Sequence, residues 1–150
     1  MKQPTIVIVI PYFGQWPEWF ELYLESCSRN PGIHWLFYTD CGEPINQCSN
    51  VSYVPMTFEE YKRLVSDRLA IHFNPTSPYK LCDLKPALGF IHESDIKDYD
   101  FFAIGDIDII YGQIRSFITD DLLQKYDVIG THNRRLSGHF AIFRNTDKYR

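Results

Sequence analysis

Asp106 and Asp108 stand two positions apart at the end of the apolar run Phe101-Phe-Ala-Ile104. Successive side chains of a strand alternate faces, so residues i and i+2 point the same way. Two carboxylates on one face repel each other unless a cation or a proton is shared between them. Hard divalent cations such as Mn²⁺ or Mg²⁺ are held by one or two carboxylates together with substrate phosphates. The pair therefore predicts a cation that bridges the protein to a phosphorylated ligand. The plain alternative is two solvated aspartates at a turn, because Asp-x-Asp on its own is a short motif.

Two further segments carry suitable chemistry. In Tyr79-Lys-Leu-Cys-Asp-Leu-Lys-Pro-Ala-Leu-Gly89, Lys80 and Asp83 are surface neighbours if the segment is helical. Together with Lys85 they lie just upstream of the Asp pair, and lysines and helix N-termini both suit phosphate oxygens. A solvated Lys–Asp pair is the plain alternative. In Arg134-Arg-Leu-Ser-Gly-His-Phe-Ala-Ile-Phe143, Gly138 lets backbone approach a ligand closely, and His139 can hydrogen-bond a sugar or ligate a metal. The same histidine can equally be structural, and Arg134 and Arg135 suit phosphate or solvent alike. Nucleophilic chemistry finds little support: there is no Gly-x-Ser-x-Gly elbow, Walker-type loop or Gly-x-Gly-x-x-Gly. A phosphatase-type Asp-x-Asp normally follows the first strand and is trailed by Thr, whereas this one follows the fourth and is trailed by Ile109-Ile110.

These groups need a scaffold, and 150 residues suffice for one domain with a single core. With 45% hydrophobic and 16% aromatic residues the chain is globular rather than disordered. A net charge of -4, with no basic block, argues against nucleic acid as the main partner. The run Ile6–Ile10 is too short for a membrane span or a signal peptide, so a cytoplasmic location is expected. The four cysteines, Cys27, Cys41, Cys48 and Cys82, lack zinc-knuckle spacing and are expected as free thiols.

The pattern of elements is alternating. Thr5–Ile10 is a continuous apolar run of the kind buried on both faces of a parallel sheet. Pro17 suits the first turn of a helix that Asn30-Pro-Gly32 stops. Strands are predicted at His34–Thr39, Val51–Val54, Phe101–Ile104, Asp127–Gly130 and His139–Phe143. Thr57 with Glu60 forms a capping-box pattern that opens a helix to about Ile71. Further helices are predicted at Lys80–Glu93, despite Pro86, and at Ser116–Tyr126. The whole predicts an α/β fold with a mostly parallel sheet flanked by helices, whose ligands bind beyond the carboxyl ends of the strands.

Ile6-Val-Ile-Val-Ile-Pro-Tyr-Phe-Gly14, Tyr79-Lys-Leu-Cys-Asp-Leu-Lys-Pro86, Phe102-Ala-Ile-Gly-Asp-Ile-Asp108 and Ser137-Gly-His-Phe-Ala-Ile-Phe143 together resemble glycosyltransferases of the GT-A fold. The likeness is strongest to bacterial enzymes of lipopolysaccharide or capsule assembly. It implies a GT-A-like, Rossmann-like donor-binding domain over residues 1–150 and a metal-dependent transfer of sugar from a nucleotide-diphosphate donor, such as a UDP-sugar, to a glycan. The cation it implies is Mn²⁺ or Mg²⁺. Carried over residue by residue, it assigns Pro11, Tyr12, Phe13, Asp40 and Asp106 to the donor nucleotide. It assigns Lys80, Asp83, Lys85, Gly138 and His139 to the donor sugar and phosphates, and Asp106 and Asp108 to the metal. A lipid-linked acceptor would bring peripheral membrane association without a transmembrane segment. GT-A enzymes usually continue beyond this length and place acceptor contacts there, so a longer parent chain and weak transfer by these residues alone are expected. Two alternatives stay open: a nucleotide-sugar or glycan-binding module without turnover, and a phosphate-handling hydrolase or nucleotidyltransferase.

Overall fold

The computed structural model describes residues 3–150. Six strands form one sheet: β1 (Ile6–Pro11), β2 (His34–Thr39), β3 (Val51–Pro55), β4 (Phe101–Gly105), β5 (Val128–Gly130) and β6 (Phe140–Arg144). Their spatial order is β3-β2-β1-β4-β6-β5. β1 pairs in parallel with both β2 and β4, and β2 with β3. The sheet is nevertheless mixed, because β6 runs antiparallel to β4 and to β5. The reason is local. A parallel neighbour needs a crossover, usually a helix, and the connection 131–139 contains none, so β6 folds back against β5.

Helices cover both faces. β1 is buried along its length apart from Pro11, as its β-branched run requires. Ile6, Ile8 and Ile10 face one core with Trp35, Phe37, Phe101 and Ala103, covered by α1 (Phe20–Ser28) through Phe20, Tyr23 and Leu24. Val7 and Val9 face the other, with Phe102, Ile104 and Tyr38 under α2 (Phe58–Leu69). In α2 the capping box is formed: Thr57 Oγ1 accepts from the Glu60 amide at 3.2 Å and the Glu60 carboxylate accepts from the Thr57 amide at 2.8 Å. The Thr57 hydroxyl, donating to the same carboxylate at 2.7 Å, and then the Thr57 amide hold the Glu60 carboxyl below the usual carboxylate range.

The predicted helix Lys80–Glu93 is not a single α-helix. Residues Pro78–Ala87 form a 3₁₀ helix, followed by two single turns, α3 (Leu88–Ile91) and α4 (Glu93–Ile96). Pro86 has no N–H to donate and its ring clashes with the carbonyl four residues back, which disfavours the α form there. The predicted helix Ser116–Tyr126 is likewise two pieces, α5 (Ile114–Phe117) and α6 (Asp120–Lys125), the latter capped by Thr119. The first helix begins at Phe20, three residues after Pro17, whose carbonyl accepts the Phe20 amide at 2.9 Å. All four thiols are free. Among the described residues no helix is long and apolar enough to cross a membrane.

Candidate functional site

From β1 the chain runs outward through β2 to β3 and then returns to place β4 on the opposite side of β1. The connections leaving the carboxyl ends of β1 and β4 therefore diverge, and such a switch point leaves a crevice where α/β sheets bind ligands. A cleft of about 620 Å³ lies there. Pro11 at the end of β1, Tyr12 and Phe13 after it, the 3₁₀ helix, and Asp106 to Asp108 after β4 all line it. Its size suits a small organic ligand, since such sites commonly hold about 300–1,000 Å³.

Helical pitch decides which part of the 3₁₀ helix faces this cleft. At three residues per turn, side chains i and i+3 eclipse. Tyr79, Cys82 and Lys85 form one such row and all line the cleft. Pro78, Leu81 and Leu84 belong to the next row, of which Pro78 and Leu81 also line the cleft while both leucines enter the core. Lys80 and Asp83 fall on the third row, pair with each other at 3.4 Å and remain 63% and 69% exposed. Neither lines the cleft, so of this segment's three candidates only Lys85 does.

Lys85 makes the central polar contact. Its ammonium donates to Asp106 Oδ1 and to the Gly138 carbonyl, the latter at 2.7 Å. His139 Nδ1 lies 3.7 Å from the other Asp106 oxygen. The antiparallel course of β6 explains this meeting. It brings the start of β6 to the end of β4, where the Asp106 amide donates to the His139 carbonyl at 3.1 Å. Gly138 and His139 thus adjoin Asp106, and His139 precedes the strand rather than opening it. Asp108 differs: it is exposed and has no hydrogen-bond or ion-pair partner among the described residues.

The loop carrying the two aspartates is held at several points. Trp19 donates from Nε1 to the Ile107 carbonyl at 3.2 Å. Asn30 donates to the Gly112 carbonyl and accepts from the Ile114 amide, each at 2.8 Å. Tyr111 packs with Tyr23, Trp35 and Phe140. At Gly105 an added Cβ would come within 2.8 Å of the Tyr111 hydroxyl, so the approach of this loop requires glycine.

The residues expected at the base and ribose separate into different roles. Tyr12 stacks on Trp16 with ring centroids 5.5 Å apart and remains partly accessible at the cleft. Burial, followed by the nearby Cys41, pushes its hydroxyl pKa up. Phe13 is only 6% exposed and packs against Phe58 and Tyr61, so its ring is committed to the core. Asp40 does not line the cleft. Its Oδ1 accepts from the Gly14 amide at 2.7 Å and fixes the turn after β1, where Gly14 takes the left-handed φ of 109°. Trp19, Tyr79 and Cys82 line the cleft but were not expected there. Only the 3.0-residue repeat of the second segment distinguishes Tyr79 and Cys82 in the sequence.

A divalent cation fits this donor set as a shared ligand. Among the described residues no three His, Cys, Asp or Glu side chains gather into a protein-only cage. One free carboxylate and one lysine-held carboxylate at an open cleft match the hard-oxygen, phosphate-completed sites of Mg²⁺ and Mn²⁺. A second, apolar cleft of about 310 Å³ lies beyond the same loop, between Ile109, Phe117, Ile129 and Phe140.

A protein-family model described as a family of unknown function (DUF6625) matches residues 8–150, and the chain belongs to that family. No curated protein matches the chain.

Proposed function

We propose that this member of DUF6625 is the donor-binding domain of a metal-dependent glycosyltransferase of GT-A type, binding a nucleoside-diphosphate sugar, such as a UDP-sugar, in the β1–β4 cleft for transfer to a glycan acceptor. The observation that carries the reading is the convergence, at the switch point of the sheet, of a free carboxylate, a lysine-held carboxylate and accessible aromatic rings. Asp108, with Asp106, would hold Mn²⁺ or Mg²⁺. When bound, such a cation neutralises the departing diphosphate. Lys85 offers further donors to the phosphate oxygens, and positive groups aimed at developing charge are an effective form of transition-state stabilisation. Tyr12, Trp19 and Tyr79 offer ring faces to base or sugar, and the Gly138–His139 turn lies beside Asp106 to receive the sugar.

A second reading is favoured by one specific observation. Among the described residues Asp106 and Asp108 are the only carboxylates lining the cleft, and Asp106 is tied to Lys85. A module that binds the nucleotide sugar without turning it over needs no further acid or base. The two readings separate on incubation of the chain with UDP-sugars, Mn²⁺ and glycan acceptors. Metal-dependent release or transfer of sugar supports the transferase, and metal-dependent binding without either supports the module. Absence of nucleotide binding contradicts both.

A further inference from the structure

Lys85 and Asp106 are an unequal match for the rest of the cleft. Their side chains are 16% and 28% exposed, so the pair is largely removed from water. A charge in such a place is costly to leave without a partner. Asp108, two residues on, is exposed and has no partner among the described residues. One carboxylate of the pair is thus already neutralised by the protein and the other is not. The ammonium keeps a second acceptor, the Gly138 carbonyl at 2.7 Å, and its stem runs past Gly138, where an added Cβ would stand 3.6 Å from Lys85 Cδ and 3.7 Å from its Nζ. A lysine head has three donors on a flexible stem, so it can hold Gly138 while exchanging one acceptor for another.

We infer that Lys85 is the resident counter-cation of Asp106, and that ligand binding is an exchange: Asp106 passes from the ammonium to the divalent cation, while the freed ammonium passes to a diphosphate oxygen. The inference rests on the proposed cation-dependent diphosphate site and adds a coupling between its two ligands. Cation alone must compete with Lys85 for Asp106. Diphosphate alone must compete with Asp106 for Lys85. Together they satisfy both groups, and the coupling is reciprocal in binding free energy.

The test measures Mn²⁺ binding by the resonance of the free hydrated ion and UDP binding by calorimetry, each alone and together. Lys85→Gln should bind Mn²⁺ alone about tenfold more tightly than the wild type, within the usual range for coupled sites. Lys80→Gln removes the same charge from the exposed row of the same helix and should change that affinity by less than about threefold, as expected for a screened charge. Asp106→Asn frees Lys85 and should strengthen metal-free UDP binding about tenfold, whereas Asp108→Asn, which releases no lysine, should change it far less. The exchange is overturned if Lys85→Gln matches Lys80→Gln in Mn²⁺ affinity, or if the two aspartate variants gain metal-free UDP affinity equally. Should Lys85→Gln fail to fold by thermal melt, the aspartate pair decides alone. Wild-type protein that binds no UDP with Mn²⁺ present removes the site itself and the exchange with it. Wild-type binding with indifferent variants removes only the exchange.

Discussion

Asp108 is the residue on which the proposed chemistry turns, because it is the carboxylate of the cleft without a partner among the described residues. Replacement by Asn keeps the shape and removes the charge. Asp108→Asn should weaken Mn²⁺-dependent nucleotide binding by at least the roughly 10–100-fold that loss of an outer-shell partner costs a metal site. Its melting temperature should stay close to that of the wild type, since no structural bond is broken. Unchanged metal-dependent affinity would remove Asp108 from the site. Tyr12 and Phe13 offer a second contrast. Tyr12→Ala should weaken nucleotide binding by about 1–3 kcal/mol, the usual worth of a base stacked on an aromatic. Phe13→Ala should act on stability instead, by about 3–5 kcal/mol, because its ring fills the core between Phe58 and Tyr61. Calorimetry and denaturant titration of both variants would show whether these losses fall as assigned. The residue types were legible in the sequence, since a strand-ending Pro-aromatic break and an Asp pair mark a site. Which of two adjacent aromatics enters the core depends on the twist of the chain after Pro11. No pattern of residue types contains that. Asp40 was displaced for a similar reason: a strand-ending aspartate serves a ligand or a neighbouring turn equally well, and here it holds Gly14.

The elements were legible wherever one principle dominated. The β1 run, the Thr57–Glu60 cap and β2 stand at the positions that the pattern predicts, to within a residue for β1. The leucines of Lys80–Glu93 fit a 3.6-residue stripe, whereas Pro86 disfavours the α form and the segment winds more tightly, with Lys80 and Asp83 toward solvent and Lys85 at the cleft. The seating of α3 on the sheet depends on Gly89. A Cβ there would come within 2.5 Å of the Phe102 ring. Gly89→Ala should therefore destabilise the fold by about 1–3 kcal/mol through overpacking, measured by urea titration, and an unchanged midpoint would contradict that contact. A pH response belongs to the same layer. His92, between α3 and α4, is fully buried, with Nε2 2.8 Å from the Tyr61 hydroxyl and its ring stacked on Tyr38. Burial lowers its pKa to about 4, opposed by Asp95 and reinforced by Arg68. Between that value and the roughly 6.5 of an unfolded histidine, the unfolded state binds more protons. The contribution of His92 is thus fully present above about pH 6.5 and is lost as pH falls toward 4, about 3 kcal/mol in all. Urea titrations at pH 7 and 4.5 should show a smaller loss in His92→Gln than in the wild type. Equal losses would place the acid sensitivity elsewhere.

At the scale of the whole molecule, the alternation of strands and helices made the α/β class legible, and the first four strands are parallel as that alternation implies. The antiparallel β6 was not legible, because the 131–139 connection is neither a tight turn nor a helix. Its consequence is functional, since only an antiparallel β6 brings Gly138 and His139 to Asp106 at the carboxyl end of β4. The topology thus gathers the end of β1, the 3₁₀ helix, the Asp loop and the start of β6 around one cleft. On the proposed reading, cation and nucleoside diphosphate would be joint ligands of that single cleft. The most direct measurement is calorimetric titration of the wild-type chain with UDP, with and without Mn²⁺, alongside Asp108→Asn under the same conditions. The expected result is saturable UDP binding that Mn²⁺ strengthens at least about tenfold in the wild type and no longer strengthens in Asp108→Asn. UDP binding that is indifferent to Mn²⁺ and to the substitution, or no binding at all, would contradict it.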